Sequence, residues 1–132
     1  MALDPQFTTT PNVSSILVTT ANTDYSLATG TSFLCFTAGA SGSFVGFAKL
    51  KPVGAAAASV IRIYINNGGT VTTVTNTWLI GEITVAVAST SATSALAEYS
   101  IPLQFALPAG YKIYASAGTA TNFQVTVIGG DY

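Results

Sequence analysis

The chain has 132 residues, the length of one domain. Only 7% of them are charged, against about 25% in an ordinary soluble domain. The formal net charge is −1, so the surface lacks the long-range field that captures nucleic acid or an anionic membrane. We infer that other subunits cover much of this neutral surface in the working state. A monomer kept soluble by a Ser/Thr-rich coat is the alternative.

Residues 1–12 are predicted to form an extended N-terminal arm, with no periodic apolar face. Pro5 and Pro11 disfavour both a helix and a hydrogen-bonded ladder in this segment. Leu3 and Phe7 are candidate anchors that would hold the arm on a neighbouring subunit, and Pro5 and Pro11 are candidate interface residues of the same arm. A frayed terminus is the alternative interpretation.

Residues 13–132 are predicted to form one all-β domain, a β-sandwich or jelly roll of about eight short antiparallel strands. Turn residues recur about every ten positions and no segment has convincing helical periodicity. The last four residues are predicted to form a tail in which Asp131 and Tyr132 are interface candidates. The predicted strands are 16–20, 31–37, 44–53, 59–65, 77–87, 98–107, 111–117 and 123–128.

One strand pairing can be predicted residue by residue. If 59–65 and 77–87 form a hairpin, Arg62 lies opposite Glu82, and the pair helps to fix the strand register. The same register places Tyr64 and Ile80 on the face of the ion pair. The other face of the hairpin is the predicted core face, and it is filled by Ile61, Ile63, Ile65, Leu79, Ile83 and Val85.

Catalytic chemistry is not expected. The sequence has no histidine, which is the commonest general base and metal ligand, and its five carboxylates are scattered. We therefore assign no catalytic, metal-binding or cofactor-binding residue. The single cysteine, Cys35, lies in an apolar strand and is expected to be a buried small hydrophobe. Neither a signal peptide nor a membrane helix is apparent, and no membrane or nucleic-acid partner is expected.

Aromatic side chains leave one binding function open, because they could stack on sugar rings in a carbohydrate-binding jelly roll. Most of them should instead belong to the core or to a subunit interface. Without basic neighbours they do not form a nucleic-acid platform. The candidates are Tyr64, Trp78, Tyr99, Tyr111, Tyr114 and Phe123.

An ordered set of segments resembles small virion structural proteins of tailed bacteriophages, over residues 16–132. The set consists of Val18-Thr19-Thr20-Ala21-Asn22-Thr23-Asp24, Phe36-Thr37-Ala38-Gly39-Ala40-Ser41-Gly42-Ser43, Arg62-Ile63-Tyr64-Ile65-Asn66-Asn67-Gly68, Leu107-Pro108-Ala109-Gly110-Tyr111 and Gly129-Gly130-Asp131-Tyr132.

The resemblance implies a non-enzymatic β-sandwich subunit of the virion, made in the cytoplasm of the bacterial host. It further implies a decoration or cement role on the capsid exterior, often as a homotrimer at threefold positions that bridges capsomers. In that role the sandwich packs against sister copies, and the arm reaches the major capsid protein. The alternatives are a tail, collar or fibre subunit, or a module that recognises host glycan.

Overall fold

The computed structural model describes residues 7–132 and has the predicted all-β architecture. Eight strands form two four-stranded antiparallel sheets, with strand orders β1-β8-β3-β6 and β2-β7-β4-β5. A single 3-10 turn, Val74–Asn76, precedes β5. The strands are β1 Thr10–Val18, β2 Phe33–Thr37, β3 Ser43–Pro52, β4 Ser59–Asn66, β5 Thr77–Val85, β6 Tyr99–Leu107, β7 Lys112–Ala117 and β8 Phe123–Asp131.

The core lies between the two sheets and follows from the alternation of apolar and polar residues along the strands. In β8, Phe123, Val125 and Val127 are fully buried, while the residues between them are partly exposed. In β4, Ile61 and Ile63 supply the opposing apolar layer. Successive side chains of a strand point to opposite faces of its sheet. The alternation of apolar and polar residues therefore specifies which face of the sheet is buried.

The predicted first strand was too short, because β1 begins at Thr10 and not at residue 16. Pro11 therefore lies inside an edge strand, opposite Gly130 of β8, and the last three residues of the predicted arm belong to the sheet. A proline is tolerated there because one side of an edge strand needs no ladder hydrogen bond.

The C terminus is likewise part of the sheet, because β8 continues through Gly129 and Gly130 to Asp131. A Cβ atom added at Gly129 would collide with the carbonyl oxygen of Phe44 in β3. Glycine thus allows β3 and β8 to approach closely at this point. The predicted tail is in fact the end of a central strand.

A long connection, residues 19–32, joins β1 to β2 and covers part of the second sheet. Its Leu27 is 1% exposed although it lies outside the inter-sheet core cluster. Tyr64 of β4 is also fully buried outside that cluster. The second sheet therefore buries side chains on its outer face as well as on its inner face.

Candidate interaction surfaces

The predicted cross-strand pair is confirmed by the register of β4 and β5. Arg62 lies directly opposite Glu82, and its Nε is 3.5 Å from Oε2 of the glutamate. The environment differs from a surface pair, since the Arg62 side chain is 6% exposed and that of Glu82 is 45% exposed. The guanidinium is thus a buried cation with a partner at the solvent boundary.

The connection over residues 19–32 is what buries this cation. Nη1 of Arg62 donates a hydrogen bond to the backbone oxygen of Asn22 at 3.1 Å. The Cζ atom lies 3.9 Å from the centre of the Tyr25 ring, which is a cation–π geometry. Among residues 7–132, Nε has no hydrogen-bond partner, so Glu82 supports it by charge attraction. Arg62 therefore fastens the connection to the sheet.

The connection is also braced from within. The Asn22 side-chain amide donates to the backbone oxygens of Thr29 and Thr31. The Asp24 carboxylate accepts hydrogen bonds from both the backbone N–H and the hydroxyl of Ser26, and likewise from those of Thr29. These bonds, led by the Ser26 hydroxyl, lower the pKa of Asp24 to about 2. The segment is a preformed surface feature and not a loose loop.

Part of the predicted hairpin was wrong, because β5 contains a bulge. Ile63 pairs with Gly81, whereas the next residue, Tyr64, pairs with Leu79, so Ile80 has no opposite residue on β4. The slip moves Leu79 away from its predicted core position, and it is 38% exposed. A bulge of this kind changes which face later residues occupy, and the alternation of the sequence alone does not reveal it.

Asp131 has an intramolecular role that the sequence analysis did not predict. Its carboxylate accepts hydrogen bonds from the Ser43 hydroxyl and from the Asn12 amide, the latter at 2.9 Å. The Ser43 hydroxyl in turn accepts from the Gly39 N–H at 2.9 Å. These bonds, Ser43 first, lower the pKa of Asp131. The predicted interface role of Asp131 and Tyr132 remains a prediction.

The arm leaves the domain beside this network. Thr9 donates its N–H to the backbone oxygen of Asp131 at 2.7 Å, and Phe7 is 80% exposed. Pro11 lies within β1, as described above. Leu3 and Pro5 lie outside the described residues, so the arm interface remains a prediction for both.

The outer edge of β5 is the most exposed apolar feature of a strand in residues 7–132. Three consecutive side chains there, Trp78, Leu79 and Ile80, are 47%, 38% and 40% exposed. We call them the β5 edge patch. No other strand of the described chain pairs with this edge, and Glu82 is the single charged residue of β5. Charged residues and prolines are what normally protect an edge from pairing with another chain.

The other three edge strands are better protected. β1 carries Pro11 and β6 carries Pro102, and a proline removes one ladder donor. The five-residue β2 lies beside β1, whose Asn12 amide donates to the backbone oxygen of Thr37 in β2. Among the four edge strands, β5 therefore combines the longest exposed apolar run with no proline, and the bulge and Glu82 are its features that disfavour pairing.

A glycan platform would need exposed aromatic rings in a concave site with amide or carboxylate groups around them. Two cavities bring two aromatic rings together, one at Tyr99 and Phe123 and a second, lined by charged side chains, at Phe47 and Tyr99. The second has a volume of about 340 Å³ and is also lined by Lys49, Glu98 and Ser100. Lys49 and Glu98 form an ion pair at 3.1 Å, and the Tyr99 hydroxyl accepts the Ala86 N–H. Its polar groups are mostly paired with one another, and no Asn or Gln lines it.

Residues 7–132 contain no group of three His, Cys, Asp or Glu side chains that could hold a metal ion. No helix in this part of the chain is long and apolar enough to cross a membrane. Cys35 is buried, as expected, and burial raises the pKa of its thiol to about 12.

No protein-family model matches this chain, and no curated protein matches it. A solved structure, that of the infectious bursal disease virus Gx strain, shares 14% identity with it and has a TM-score of 0.29. That match covers 97% of this chain but only 36% of the viral chain. A TM-score this low carries no argument about fold or function.

Proposed function

We propose that this protein is a non-enzymatic virion structural subunit, a decoration or cement protein that stabilises a bacteriophage capsid by bridging its subunits. Its partners would be the major capsid protein and sister copies of itself, arranged as a homotrimer on the capsid exterior. The observation that carries the proposal is the exposed apolar run Trp78, Leu79 and Ile80 at the β5 edge of a charge-poor sandwich. Such an edge is a template for pairing with another chain.

Three further features support a repeated structural role. Strands β1 and β8 pair with each other, and Asp131 of β8 is hydrogen-bonded to Asn12 of β1 and to Ser43 of β3. The connection over Arg62 is preformed, so its surface is available for binding without an ordering cost. Exposed apolar side chains continue beyond β5, with Val74 at 52% and Val87 at 71%. Many small neutral contacts of this kind add up when they are repeated over a shell.

The rival functions are a tail, collar or fibre subunit and a glycan-binding module. The first shares the fold and differs in its position on the virion. The second has less support, because the cavity around Phe47 and Tyr99 is lined by an ion pair and a serine and not by amides. We therefore place the capsid role first.

The proposal is tested on particles of the virus that encodes this chain. Cryo-electron microscopy of intact virions should place the sandwich on the outside of the head, at contacts between capsomers. Particles assembled without the protein should release their DNA at a lower temperature than complete particles, and adding purified protein back should restore the difference. Density on the tail or fibres with a bare head would refute the capsid role, as would equal heat resistance with and without the protein.

A further inference from the structure

We propose that the outer face of the first sheet, β1-β8-β3-β6, binds a second copy of this chain through the same face, about a two-fold axis. The inference goes beyond the proposed function, because it concerns a contact between copies wherever the protein lies on a virion. It is also distinct from a threefold contact, so in a shell of trimers it would join one trimer to another.

The first observation is that apolar residues form two adjacent rows across the outer face of this sheet. Each row contains one residue from each of the four strands, and neighbours in a row lie opposite each other in the strand register. None of the eight residues is charged. We call them the outer apolar rows, and they are Val13, Ile128, Phe47 and Pro102 in one row and Pro11, Gly130, Phe44 and Ala106 in the other.

Burial along the strands shows that these side chains point away from the core. Val13 of β1 is 57% exposed. In β3, Phe44 and Phe47 are partly exposed and lie outside the inter-sheet core cluster of the described chain. Their neighbours Val45 and Ala48 are fully buried within that cluster. Because successive side chains of a strand point to opposite faces, Phe44 and Phe47 point outward.

A bulge at Gly46 is what brings both phenylalanines to this face. In a regular strand, residues three positions apart lie on opposite faces. The pairing of β3 with β8 shifts between Val45 and Phe47, so Phe44 and Phe47 share the outer face. The Gly46 carbonyl oxygen accepts a hydrogen bond from the Gln104 side chain at 3.1 Å. Bulges redirect side chains in this way, and here the bulge adds an aromatic ring to the outer apolar rows.

The two sheets differ in what covers their outer faces. The connection over residues 19–32 covers the second sheet and buries Arg62 beneath it. On the first sheet, Thr8 lies over Gly130 at one corner. Val13 and Pro102 nevertheless remain exposed at the two ends of one row. A contiguous apolar patch on a protein surface is typical of an interaction site, so we looked for the occupant that fits this face.

The order of the rows argues that the occupant is a second copy. A two-fold axis parallel to the strands, midway between β8 and β3, places β8 of one copy over β3 of the other. Each row then faces the same row of the second copy, and Ile128 lies over Phe47. The next row is polar, and in it Lys49 lies over Thr126, so the lysines do not meet. This polar row consists of Ser15, Thr126, Lys49 and Ser100.

The charges near the face do not oppose such a contact. Lys49 forms an ion pair with Glu98 at 3.1 Å, and Lys51 donates a hydrogen bond to the backbone oxygen of Leu96 at 2.6 Å. Both cations are therefore already engaged within their own chain. The formal net charge of −1 produces little long-range repulsion between copies. Two sheets can then pack face to face, about 10 Å apart, with their side chains interdigitated.

The size of the face predicts a weak and reversible dimer. Four strands span roughly 19 Å, and the seven residues from Pro11 to Leu17 span roughly 23 Å. The face thus covers roughly 440 Å² in projection, less than the 800 Å² or so that each partner buries in an interface of standard size. We expect a dimer that forms at high concentration and dissociates on dilution. Weak contacts of this kind become effective when they are repeated over a shell.

Sedimentation velocity of the purified full chain over a range of concentrations tests the dimer. The mass should rise from the 13.4 kDa of one copy towards twice that value. Phe47→Lys should hold the mass at one copy throughout, because it places a cation beside the two-fold axis among apolar side chains. Val13→Lys lies at the exposed end of the same row and should raise the dissociation constant about tenfold or more.

A matched control is available on the second sheet. Trp78 is also an exposed aromatic residue, at 47%, and it belongs to the β5 edge patch. Trp78→Lys therefore makes the same kind of change as Phe47→Lys without touching the first sheet. It should leave the dissociation constant unchanged. Circular dichroism shows whether each variant is folded.

A crosslink identifies the face directly. Thr126 lies on β8 beside the expected two-fold axis, so the Thr126→Cys variant should give a covalent dimer with a short bismaleimide reagent. The native Cys35 is buried and should not react. Thr84 is exposed on β5 of the second sheet, and the Thr84→Cys variant should remain a single chain under the same conditions.

Three results would overturn the inference. The first is a chain that stays monomeric up to about 1 mM, the dissociation constant of a very weak complex. The second is a dimer that survives Phe47→Lys and is lost in Trp78→Lys, which would assign the contact between copies to the β5 edge patch. The third is a chain that dimerises only after residues 2–6 are removed, which would assign the face to the chain's own N-terminal segment. All are measured on the purified chain, so the proposed function is tested separately.

Discussion

Substitutions of Arg62 and of its partner Glu82 should lower the free energy of unfolding by different amounts, depending on which contacts each substitution removes. In Arg62→Ala the protein loses the hydrogen bond to Asn22, worth about 1.5–3 kcal/mol for a charged donor. It also loses the cation–π contact with Tyr25, about 1 kcal/mol, and the packing of the side-chain stem. Release of a buried charge offsets part of this loss. We expect a net decrease of about 3 kcal/mol in the free energy of unfolding.

Two milder substitutions separate the contributions. Arg62→Met keeps most of the apolar stem and removes the charged group together with its unpartnered Nε. It should cost about 1–1.5 kcal/mol, since replacing a buried ion by a similar apolar side chain is often close to neutral. Glu82→Gln removes only the partner that is 45% exposed, and we expect a loss below about 1 kcal/mol because solvent screens this pair.

The assay is urea unfolding, followed by far-ultraviolet circular dichroism and by the fluorescence of Trp78, the single tryptophan. The expected order of destabilisation is Arg62→Ala first, then Arg62→Met, then Glu82→Gln. An Arg62→Ala variant within about 1 kcal/mol of the wild type would show that the cation does not hold the connection. A larger loss for Glu82→Gln than for Arg62→Met would show that the ion pair, and not the Asn22 and Tyr25 contacts, is the main support.

Three further predictions concern other positions of the fold. Asp24 and Asp131 have lowered pKa values, so their contribution to stability is complete above their unfolded pKa near 3.8 and is lost as the pH falls through the folded values. The Asp131→Asn variant should therefore lose less stability than the wild type below about pH 4, and it should be less stable at pH 7 by about 1 kcal/mol. Cys35 should resist a disulfide-exchange reagent until denaturant is added, because its thiol is buried with a raised pKa, and rapid labelling of the native protein would contradict this. Gly129→Ala should destabilise by about 2 kcal/mol or more in thermal unfolding, since its methyl group would meet the Phe44 carbonyl oxygen, whereas an unchanged melting temperature would show that β3 and β8 can separate there.

The sequence predicted the eight strands well because local chemistry determines them. Apolar alternation marks the interior of a strand, and Gly, Asn and Pro mark its ends. The limits of β1 and β8 were missed for a different reason. Pro11 and Gly130 both look unsuited to a strand, yet they lie opposite each other. Their pairing joins segments more than a hundred residues apart, and no local pattern reports such a contact.

The ion pair shows where prediction stops in the candidate site. The alternation of side chains along the two strands predicted that Arg62 lies opposite Glu82, and the observed register agrees. The alternation could not show that the connection carrying Tyr25 folds over that face and buries the cation. The same limitation applies to β5. The bulge between Leu79 and Gly81 leaves no trace in the composition, but it turns three neighbouring apolar residues outward.

The bulge in β5 has opposite consequences for folding and for assembly. A regular register would have sent Leu79 to the core and left a narrower apolar edge. The observed register gives up that burial and leaves Trp78, Leu79 and Ile80 exposed in sequence. Each apolar side chain left in water forgoes about 1.5–3 kcal/mol of burial free energy. In the proposed assembly another chain would cover the edge and recover part of that free energy.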